Sequence, residues 1–317
     1  MVVSDLHYAC PGEQARDGHE AMKIGNPFKR WLLNAYRRYI WLHNGLFQNH
    51  LLEPILRTDE EPDIVVANGD FSSDTGFVGL ADPYALESAT LCIQKLRARF
   101  SSRLKLVLGD HEFGKDSMVA GNGGLRLESY YRAVRDLEIE PVWTLTRGPF
   151  VLIGVASSLI ALPTYLPETL PDERVEWQDL RRSHLENVTQ AFQQVREDQR
   201  IVLFCHDPTA LPYLLEIPEI KAALPKISLT IIGHLHTPLL LKLSFLLAGM
   251  PTINFLGTAF RRMSKALGKA KDWKPFHVQI CPSPTGCELL KDGGYLILTL
   301  PELPHQPIQV RNFKIPR

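Results

Sequence analysis

The sequence predicts an α/β fold in which helices and mixed β-sheets are layered into a sandwich. Short apolar runs rich in Val, Ile and Leu alternate with longer amphipathic stretches, as expected for strands that alternate with helices. The 317 residues are 45% hydrophobic and 22% charged, which is typical of a soluble globular protein and excludes a disordered chain. No uninterrupted apolar run approaches the roughly 18 residues of a transmembrane helix.

Eight apolar runs are predicted strands, and most of them end at Gly, Asp, Asn or His. Fewer helices separate the later runs, which predicts a mixed sheet or a second sheet. The predicted strands cover residues 2–4, 64–67, 104–108, 150–156, 201–204, 229–232, 252–255 and 295–300.

Amphipathic stretches predict helices at residues 28–52, 83–100, 126–137 and 176–199. Asp82 directly precedes the second helix and is suited to cap its N-terminus. Three prolines in residues 162–172 predict a surface loop. Because no repeat or linker divides the chain, residues 1–317 are predicted to form a single domain.

The formal net charge of +0 conceals two basic segments. Residues 23–57 contain six Lys or Arg and one acid, and residues 239–274 contain seven Lys or Arg and one acid. Basic segments on an otherwise acidic chain indicate an anionic ligand or surface. The five scattered cysteines are expected to be reduced thiols of a cytoplasmic protein.

Chemically reactive side chains follow five of the apolar runs. Ligands bind beyond the carboxyl ends of strands in α/β sheets, so five strand ends can deliver these side chains to one rim. A single Asp or His at such a place is usually a turn or loop residue, but turn chemistry does not explain why Asp or His follows all five strands. In an extended segment, side chains two residues apart point to the same side, so Asp5 and His7, or His234 and His236, could both serve one site. The segments are Asp5-Leu6-His7, Asn68-Gly69-Asp70, Gly109-Asp110-His111-Glu112, Cys205-His206-Asp207 and Gly233-His234-Leu235-His236.

The order D-x-H, G-D, G-N-H-E, H and G-H-x-H resembles the signature of the calcineurin-like metallophosphoesterases. All five blocks occur in this order between Asp5 and His236. The resemblance implies the layered fold of that family and hydrolysis of a phosphoric ester or pyrophosphate bond. It also implies two transition-metal ions, with manganese favoured and iron or zinc as alternatives.

Carried over by position, the resemblance implies a role for each residue of the five blocks. His111 would contact the phosphate or protonate the leaving oxygen, and Glu112 would support the catalytic site by orienting a ligand histidine. Two ions about 3.5–4 Å apart would activate water and stabilise the attacking and leaving oxygens. The implied ligands are Asp5, His7, Asp70 and His236 for the first ion, and Asp70, Asp110, His206 and His234 for the second, with Asp70 shared.

Asp110 departs from the family pattern, which has Asn at this position. A third carboxylate would tighten metal binding, weaken the attraction of an anionic substrate, or favour one trivalent ion such as Fe(III). The departure leaves the identity of the metals open but does not change the predicted reaction class.

The two basic segments are predicted insertions. In residues 23–57, apolar and aromatic residues recur at helical spacing between basic ones, which indicates a helix packed on the sheet or a cationic helix at a membrane or lipid-binding site. In residues 239–274, an apolar run precedes a basic stretch, which predicts a buried hairpin and a solvated helix or a second insertion near the site.

Apolar, basic insertions beside a two-metal core resemble the bacterial UDP-2,3-diacylglucosamine pyrophosphatases, which act on a lipid A precursor at the inner membrane. The best-known branch of those enzymes has Arg where this chain has His111, which indicates a different branch. The leading hypothesis is hydrolysis of a lipid-linked phosphodiester or pyrophosphate by a cytoplasmic protein at the inner face of the membrane. A soluble phosphodiesterase or nuclease stays open as an alternative, so nucleic acid is a second candidate partner. A non-catalytic scaffold is disfavoured, because all seven ligand positions hold residues that bind metals.

Overall fold

A computed structural model describes residues 1–22, 24–117, 122–255 and 257–316 of the chain. Lys23, the first residue of the predicted insertion at 23–57, lies outside the described residues.

Within the described residues, ten strands form two five-stranded sheets, and both sheets are mixed. The first sheet has the order β10-β9-β1-β2-β3, in which β1, β2 and β3 are parallel and β9 and β10 are antiparallel additions. The second has the order β4-β5-β6-β7-β8, in which only β4 is antiparallel to its neighbour. The strands are β1 (Val2–Val3), β2 (Val65–Asn68), β3 (Leu104–Val107), β4 (Val142–Arg147), β5 (Phe150–Val155), β6 (Arg200–Cys205), β7 (Ile227–Ile232), β8 (Val278–Ile280), β9 (Gly294–Thr299) and β10 (Gln309–Lys314).

Seven of the eight predicted strands are confirmed, and the strand predicted at 252–255 is wrong. That segment has no regular structure and ends at the highly exposed Phe255, so its apolar residues do not reflect burial in a sheet. Strands β4, β8 and β10 were not predicted. β10 is a mostly exposed edge strand, and an exposed polar strand gives no apolar signal in the sequence.

The α-helices confirm three of the four predicted helices, including the cap at Asp82, whose side chain accepts a hydrogen bond from the Tyr84 amide. The α-helices are α1 (Pro11–Gln14), α2 (His19–Met22), α3 (Pro27–Tyr36), α4 (Leu52–Leu56), α5 (Pro83–Phe100), α6 (Asp110–Phe113), α7 (Leu127–Arg135), α8 (Ser157–Ile160), α9 (Leu162–Tyr165), α10 (Arg174–Gln193), α11 (Leu211–Leu214), α12 (Pro218–Ala223), α13 (Pro238–Leu246) and α14 (Thr258–Gly268). A π-helix spans Arg37–Trp41, and 3₁₀-helices span Gly45–Phe47, Asn49–Leu51, Gly79–Ala81, Ser101–Arg103, Leu166–Glu168, Pro171–Glu173, Pro208–Ala210, Leu224–Lys226 and Ala270–Phe276.

Three local predictions need correction. The helix predicted at 28–52 is broken, because the π-helix follows α3 and Asn44 then adopts a left-handed φ of 50°. The surface loop predicted at 162–172 instead forms short helices that bury Leu162 and Tyr165. The apolar run at 239–248 forms α13 rather than a hairpin, and its Leu246 is exposed.

The core has an α/β-β/α arrangement, as predicted. The inner faces of the two sheets meet through apolar side chains such as Val66 and Leu296 of the first sheet and Phe204 and Ile231 of the second. Helices α5 and α10 bury an apolar stripe against the outer faces. This packing fixes the two sheets relative to each other and brings the carboxyl ends of their parallel strands to one side.

Trp143 joins the neighbouring edges of the two sheets. Its ring lies across Gly154 on the paired strand β5, where an added Cβ would come within 2.2 Å of the indole. Its Nε1 donates a hydrogen bond of 2.8 Å to the carbonyl oxygen of Leu106 on β3. The indole therefore stabilises the junction by area burial and by a buried hydrogen bond.

We expect Trp143→Phe to lower the free energy of unfolding by about 1 kcal/mol more than Trp273→Phe, because only the first change removes a buried hydrogen bond. Trp273 is equally buried, and its Nε1 has no hydrogen-bond partner among the described residues, so it is a matched control. Urea unfolding followed by circular dichroism measures both changes. Equal losses would show that the hydrogen bond to Leu106 contributes no stability.

Candidate metal centre

The seven predicted ligands lie together beyond the carboxyl ends of five strands. Asp5 and His7 follow β1, Asp70 follows β2 and Asp110 follows β3, while His206 follows β6 and the pair His234 and His236 follows β7. Backbone hydrogen bonds tie these loops together, from the Asp5 amide to Gly69 and from the Gly233 amide to the carbonyl of His206. The convergence predicted from strand ends is therefore found in the fold.

Four of these residues form one compact cluster. Nε2 of His206 lies 3.2 Å from Oδ2 of Asp70 and 3.3 Å from Oδ1 of Asp110. Nδ1 of His234 lies 2.8 Å from the same Oδ1 of Asp110. These four side chains can offer ligand atoms that all lie within 4.8 Å of one another.

Asp5, His7 and His236 form a second cluster that adjoins the first. Nε2 of His7 faces Nε2 of His236 at 3.1 Å, and the latter lies 3.4 Å from Oδ1 of Asp5. Oδ2 of Asp70 is 3.9 Å from Nε2 of His7, so Asp70 stands between the two clusters.

The orientation of the imidazoles fits metal binding. Nδ1 of His206 lies 2.5 Å from the carbonyl oxygen of Asn68 and is therefore the protonated nitrogen, which leaves the lone pair on Nε2. That Nε2 is buried and has no hydrogen-bond partner among the described residues, although two carboxylates face it. Oδ2 of Asp5 is likewise buried without a partner. A shared cation would satisfy lone pairs that face one another in this way, and mixed imidazole and carboxylate donors suit a transition metal.

The pKa shifts of these buried groups also favour a bound cation. Burial raises the pKa of Asp5. Burial and repulsion from Asp110 also oppose ionisation of Asp70, but attraction by His206 holds the pKa of Asp70 below its ordinary value. Burial disfavours the charged form of His206, yet Asp70 and Asp5 raise its pKa well above the ordinary value. A proton and a metal ion therefore compete for the same lone pair, and metal binding weakens at low pH.

Left-handed backbone conformations are concentrated at the predicted ligands. Values of φ between 43° and 60° occur at Asp5, His7, Asp70, His234 and His236. Such conformations are uncommon for residues other than glycine and persist where the surroundings enforce them. The pairs Asp5 and His7, and His234 and His236, thus converge through left-handed turns, and the prediction that they lie in extended segments is wrong.

Residues 1–238 match the family model described as calcineurin-like phosphoesterase. The chain belongs to the calcineurin-like phosphoesterase family. It is accordingly a metal-dependent phosphoester hydrolase with the α/β fold of that family.

Two solved structures are similar to this phosphoesterase at low identity. A dimetal phosphatase from Danio rerio matches with a TM-score of 0.39 and 13% identity, over 74% of this chain and 80% of the other. A phosphopantetheinyl hydrolase from Mycobacterium tuberculosis matches with a TM-score of 0.36 and 15% identity, over 75% of this chain and 82% of the other. No curated protein sequence matches significantly. Scores this low do not identify the substrate of the phosphoesterase.

Glu112 lies beneath the cluster rather than in it. Its fully buried carboxylate accepts hydrogen bonds of 2.8–2.9 Å from the amides of Asp70, Phe71 and Gly109. Burial, reinforced by repulsion from Asp70, raises the pKa of Glu112 to about 7. The predicted contact with a ligand histidine is replaced by these backbone contacts, through which Glu112 ties the loop after β2 to the loop after β3.

His111 faces Asp70 from the other side. Its Nδ1 lies 3.1 Å from the carbonyl oxygen of Ser73, and its Nε2 lies 3.8 Å from Oδ2 of Asp70. Burial and the nearby Lys115 ammonium lower the pKa of His111 to about 3, so its ring is neutral near pH 7. Nε2 then carries a lone pair, and this histidine can accept a proton there before it can donate one.

Two residues near the site were not predicted. Nζ of Lys115 lies 2.5 Å from Oδ2 of Asp110, and the ring of Trp41 lies 5.2 Å from the ring of His236. Both lie outside the five sequence blocks. The five-residue spacing between Asp110 and Lys115 is not a helical contact spacing, so no local pattern in the sequence indicates this pair.

Gly69 allows the loops to approach each other. Its φ is +89°, and an added Cβ would lie 2.6 Å from Nδ1 of His206 and 2.7 Å from the Cα of Gly109. We expect Gly69→Ala to displace His206 and to reduce the metal content of the protein, besides the roughly 1–2 kcal/mol that a left-handed alanine costs.

Gly18→Ala is the matched control, because Gly18 has a φ of +74° and open space around its Cβ position. It should lose similar stability and keep its metal. Metal analysis and urea unfolding of both variants measure the two effects. Full metal content in Gly69→Ala would show that this close approach does not shape the site.

Proposed function

We propose that the protein is a two-metal phosphoesterase in which Asp5, His7, Asp70 and His236 hold one ion and Asp70, Asp110, His206 and His234 hold the other. The observation that carries this proposal is the pair of adjoining clusters with Asp70 between them, in each of which an imidazole nitrogen faces a buried carboxylate. Manganese is the favoured metal, with iron or zinc as alternatives, because the donor set mixes nitrogen and oxygen.

The ions, when bound, supply Lewis acidity for the phosphoryl group and lower the pKa of water. The protein residues then position the reactants and move the proton. The carbonyl of Ser73 orients His111, whose Nε2 would contact the phosphate or pass a proton taken up from solvent to the leaving oxygen. Glu112 holds the backbone of Asp70 in place through its hydrogen bonds to the amides around it.

The substrate that we propose is a lipid-linked phosphodiester or pyrophosphate, similar to UDP-2,3-diacylglucosamine in lipid A biosynthesis. An exposed apolar surface on α3 and the π-helix supports this choice; it consists of Phe28, Trp31, Leu32, Tyr36, Tyr39 and Ile40. The rings of Phe28 and Trp31 stack with centroids 6.0 Å apart. The segment from Leu32 to Ile40 also lines an apolar groove of about 590 Å³. Monomeric proteins rarely expose so many large apolar side chains together without a partner.

This apolar surface is continuous with the metal centre. Trp41 is the last residue of the π-helix and contacts His236, as described above. Amides of Glu288 and Leu289 donate to the carbonyls of Trp41 and Ile40, so another exposed leucine lies beside the surface. A lipid chain on the surface would therefore place its attached phosphate near the ligands.

The same surface is suited to peripheral contact with the inner face of a membrane. Arg30 is exposed on α3, and the guanidinium of Arg38 lies 5.5 Å from the ring centre of Tyr39. Cationic side chains among aromatic ones favour an anionic lipid interface. Among the described residues, the helices are too short or too polar to span a lipid bilayer.

Hydrolysis of bis(p-nitrophenyl) phosphate with added Mn²⁺ tests the proposed chemistry. His111→Ala should keep the metal content of the wild type but lose about 10²–10⁴-fold in turnover, as is typical when a proton-transfer group is removed. His206→Ala should lower the metal content itself. His305→Ala, at an exposed histidine far along the sequence, is the control and should match the wild type.

Two outcomes would contradict the proposal. A wild-type protein that neither binds metal nor hydrolyses the ester would refute the two-metal function. Loss of metal in His111→Ala would instead show that His111 is a ligand, which its position beside His7 and Asp70 also permits.

Flotation with lipid vesicles tests the membrane surface. Wild-type protein should float with vesicles that contain phosphatidylglycerol, and Trp31→Glu should reduce binding by about tenfold or more, since burial of an aromatic side chain contributes about 1.5–3 kcal/mol. Val175→Glu is the matched control, because Val175 is 71% exposed on α10, outside this surface. Equal binding by the two variants, or no binding by the wild type, would rule out this surface as the site of membrane contact.

A further inference from the structure

Asp110 directs its two carboxylate oxygens at different partners. Oδ1 faces the imidazoles, 2.8 Å from Nδ1 of His234 and 3.3 Å from Nε2 of His206. Oδ2 is 2.5 Å from the ammonium of Lys115. One oxygen is thus turned to the proposed second metal site and the other to a fixed positive charge.

The fold around Gly114 places Lys115 at this position. Helix α6 ends at Phe113. Gly114, the next residue, has a φ of +91° and packs so closely that an added Cβ would lie 2.6 Å from the carbonyl oxygen of Gly124. The chain turns back there, and the Lys115 side chain returns to the first residue of the helix. Of the described lysine and arginine side chains, only Lys115 forms an ion pair with a proposed carboxylate ligand.

The pairing changes the charge of the site. Asp5, Asp70 and Asp110 bring three negative charges to one buried cluster, one more than the Asn of the family pattern would give. Lys115 adds one positive charge in direct contact with the additional carboxylate. The pair is neutral overall and presents a single oxygen to the metal site, as an asparagine side chain would.

We propose that Lys115 is a positioning residue that neutralises Asp110, and that it thereby limits how tightly the second metal is held and keeps the site attractive to phosphate. This inference rests on the proposed function, in which Asp110 is a metal ligand. Lys115 lies outside the five sequence blocks, so the family pattern implies no role for it.

A double-mutant cycle tests the pair, with Asp110→Asn, Lys115→Met and the double variant. The affinity for Mn²⁺ is measured by isothermal titration calorimetry, and inhibition by inorganic phosphate is measured at saturating Mn²⁺. Lys226→Met is the control, because Lys226 pairs with Glu197 at 2.7 Å at the opposite end of β7. Lys115→Gln replaces Lys115→Met if the latter does not fold.

Lys115→Met should bind Mn²⁺ about tenfold more tightly and phosphate about tenfold more weakly, since a neighbouring charge typically changes such affinities by one or more powers of ten. Asp110→Asn should bind Mn²⁺ more weakly, because it leaves Lys115 unpaired beside the metal. The double variant should return to within about threefold of the wild type in both measurements. The reason is that Asn and Met together carry no net charge, like the Asp110–Lys115 pair that they replace.

The failures of the two proposals are distinguishable. If Asp110→Asn binds Mn²⁺ as the wild type does, Asp110 is not a ligand and the proposed metal assignment is wrong. If Asp110→Asn weakens binding but Lys115→Met equals Lys226→Met, or binds Mn²⁺ more weakly than the wild type, Lys115 does not neutralise the carboxylate and this inference is wrong.

Discussion

The burial of three carboxylates in one small volume is the constraint on which the rest of the site depends. Asp5, Asp70 and Asp110 are almost completely removed from solvent, and ionised carboxylates in such surroundings cost several kcal/mol unless they are paired or bind cations. Imidazoles oriented by backbone carbonyls offset part of this cost and supply nitrogen donors at the same time. A cluster of this kind has little value for stability alone, which is why its chemistry points to metal ions.

The loops that hold these groups are themselves under constraint. Five of the proposed ligands adopt left-handed backbone conformations, and Gly69 allows two loops to approach within a distance that no side chain would permit. Glu112 stabilises these loops, because its buried carboxylate accepts hydrogen bonds from three backbone amides in the loops after β2 and β3. The rigid parallel strands bring the loops to one side, and the buried glutamate then sets their spacing. The proposed site is therefore one place in the fold where the surroundings enforce uncommon backbone conformations.

The sequence was sufficient for the fold class and for the convergence of the proposed ligands, because both follow from apolar strands that end at Asp or His. It was insufficient where geometry depends on the rest of the molecule. Nothing local predicts that His236 is reached through a left-handed turn, or that a π-helix brings Trp41 beside it. Lys115 was missed because a turn at Gly114, rather than a motif, returns its side chain to Asp110. Strand β10 was missed because an exposed edge strand needs few apolar residues.

The proposed function joins two-metal hydrolysis to a lipid-linked substrate, and the apolar surface on α3 lies beside the proposed metal centre. The choice of substrate depends on the metal centre, because without the ions there is no hydrolysis to direct. A crystal structure of the protein grown with Mn²⁺, with data collected at the manganese absorption edge, tests the metal centre most directly. We expect two anomalous peaks, one among Asp5, His7 and His236 and one among Asp110, His206 and His234, with Asp70 between them. A single peak, or peaks away from these residues, would contradict the two-metal site.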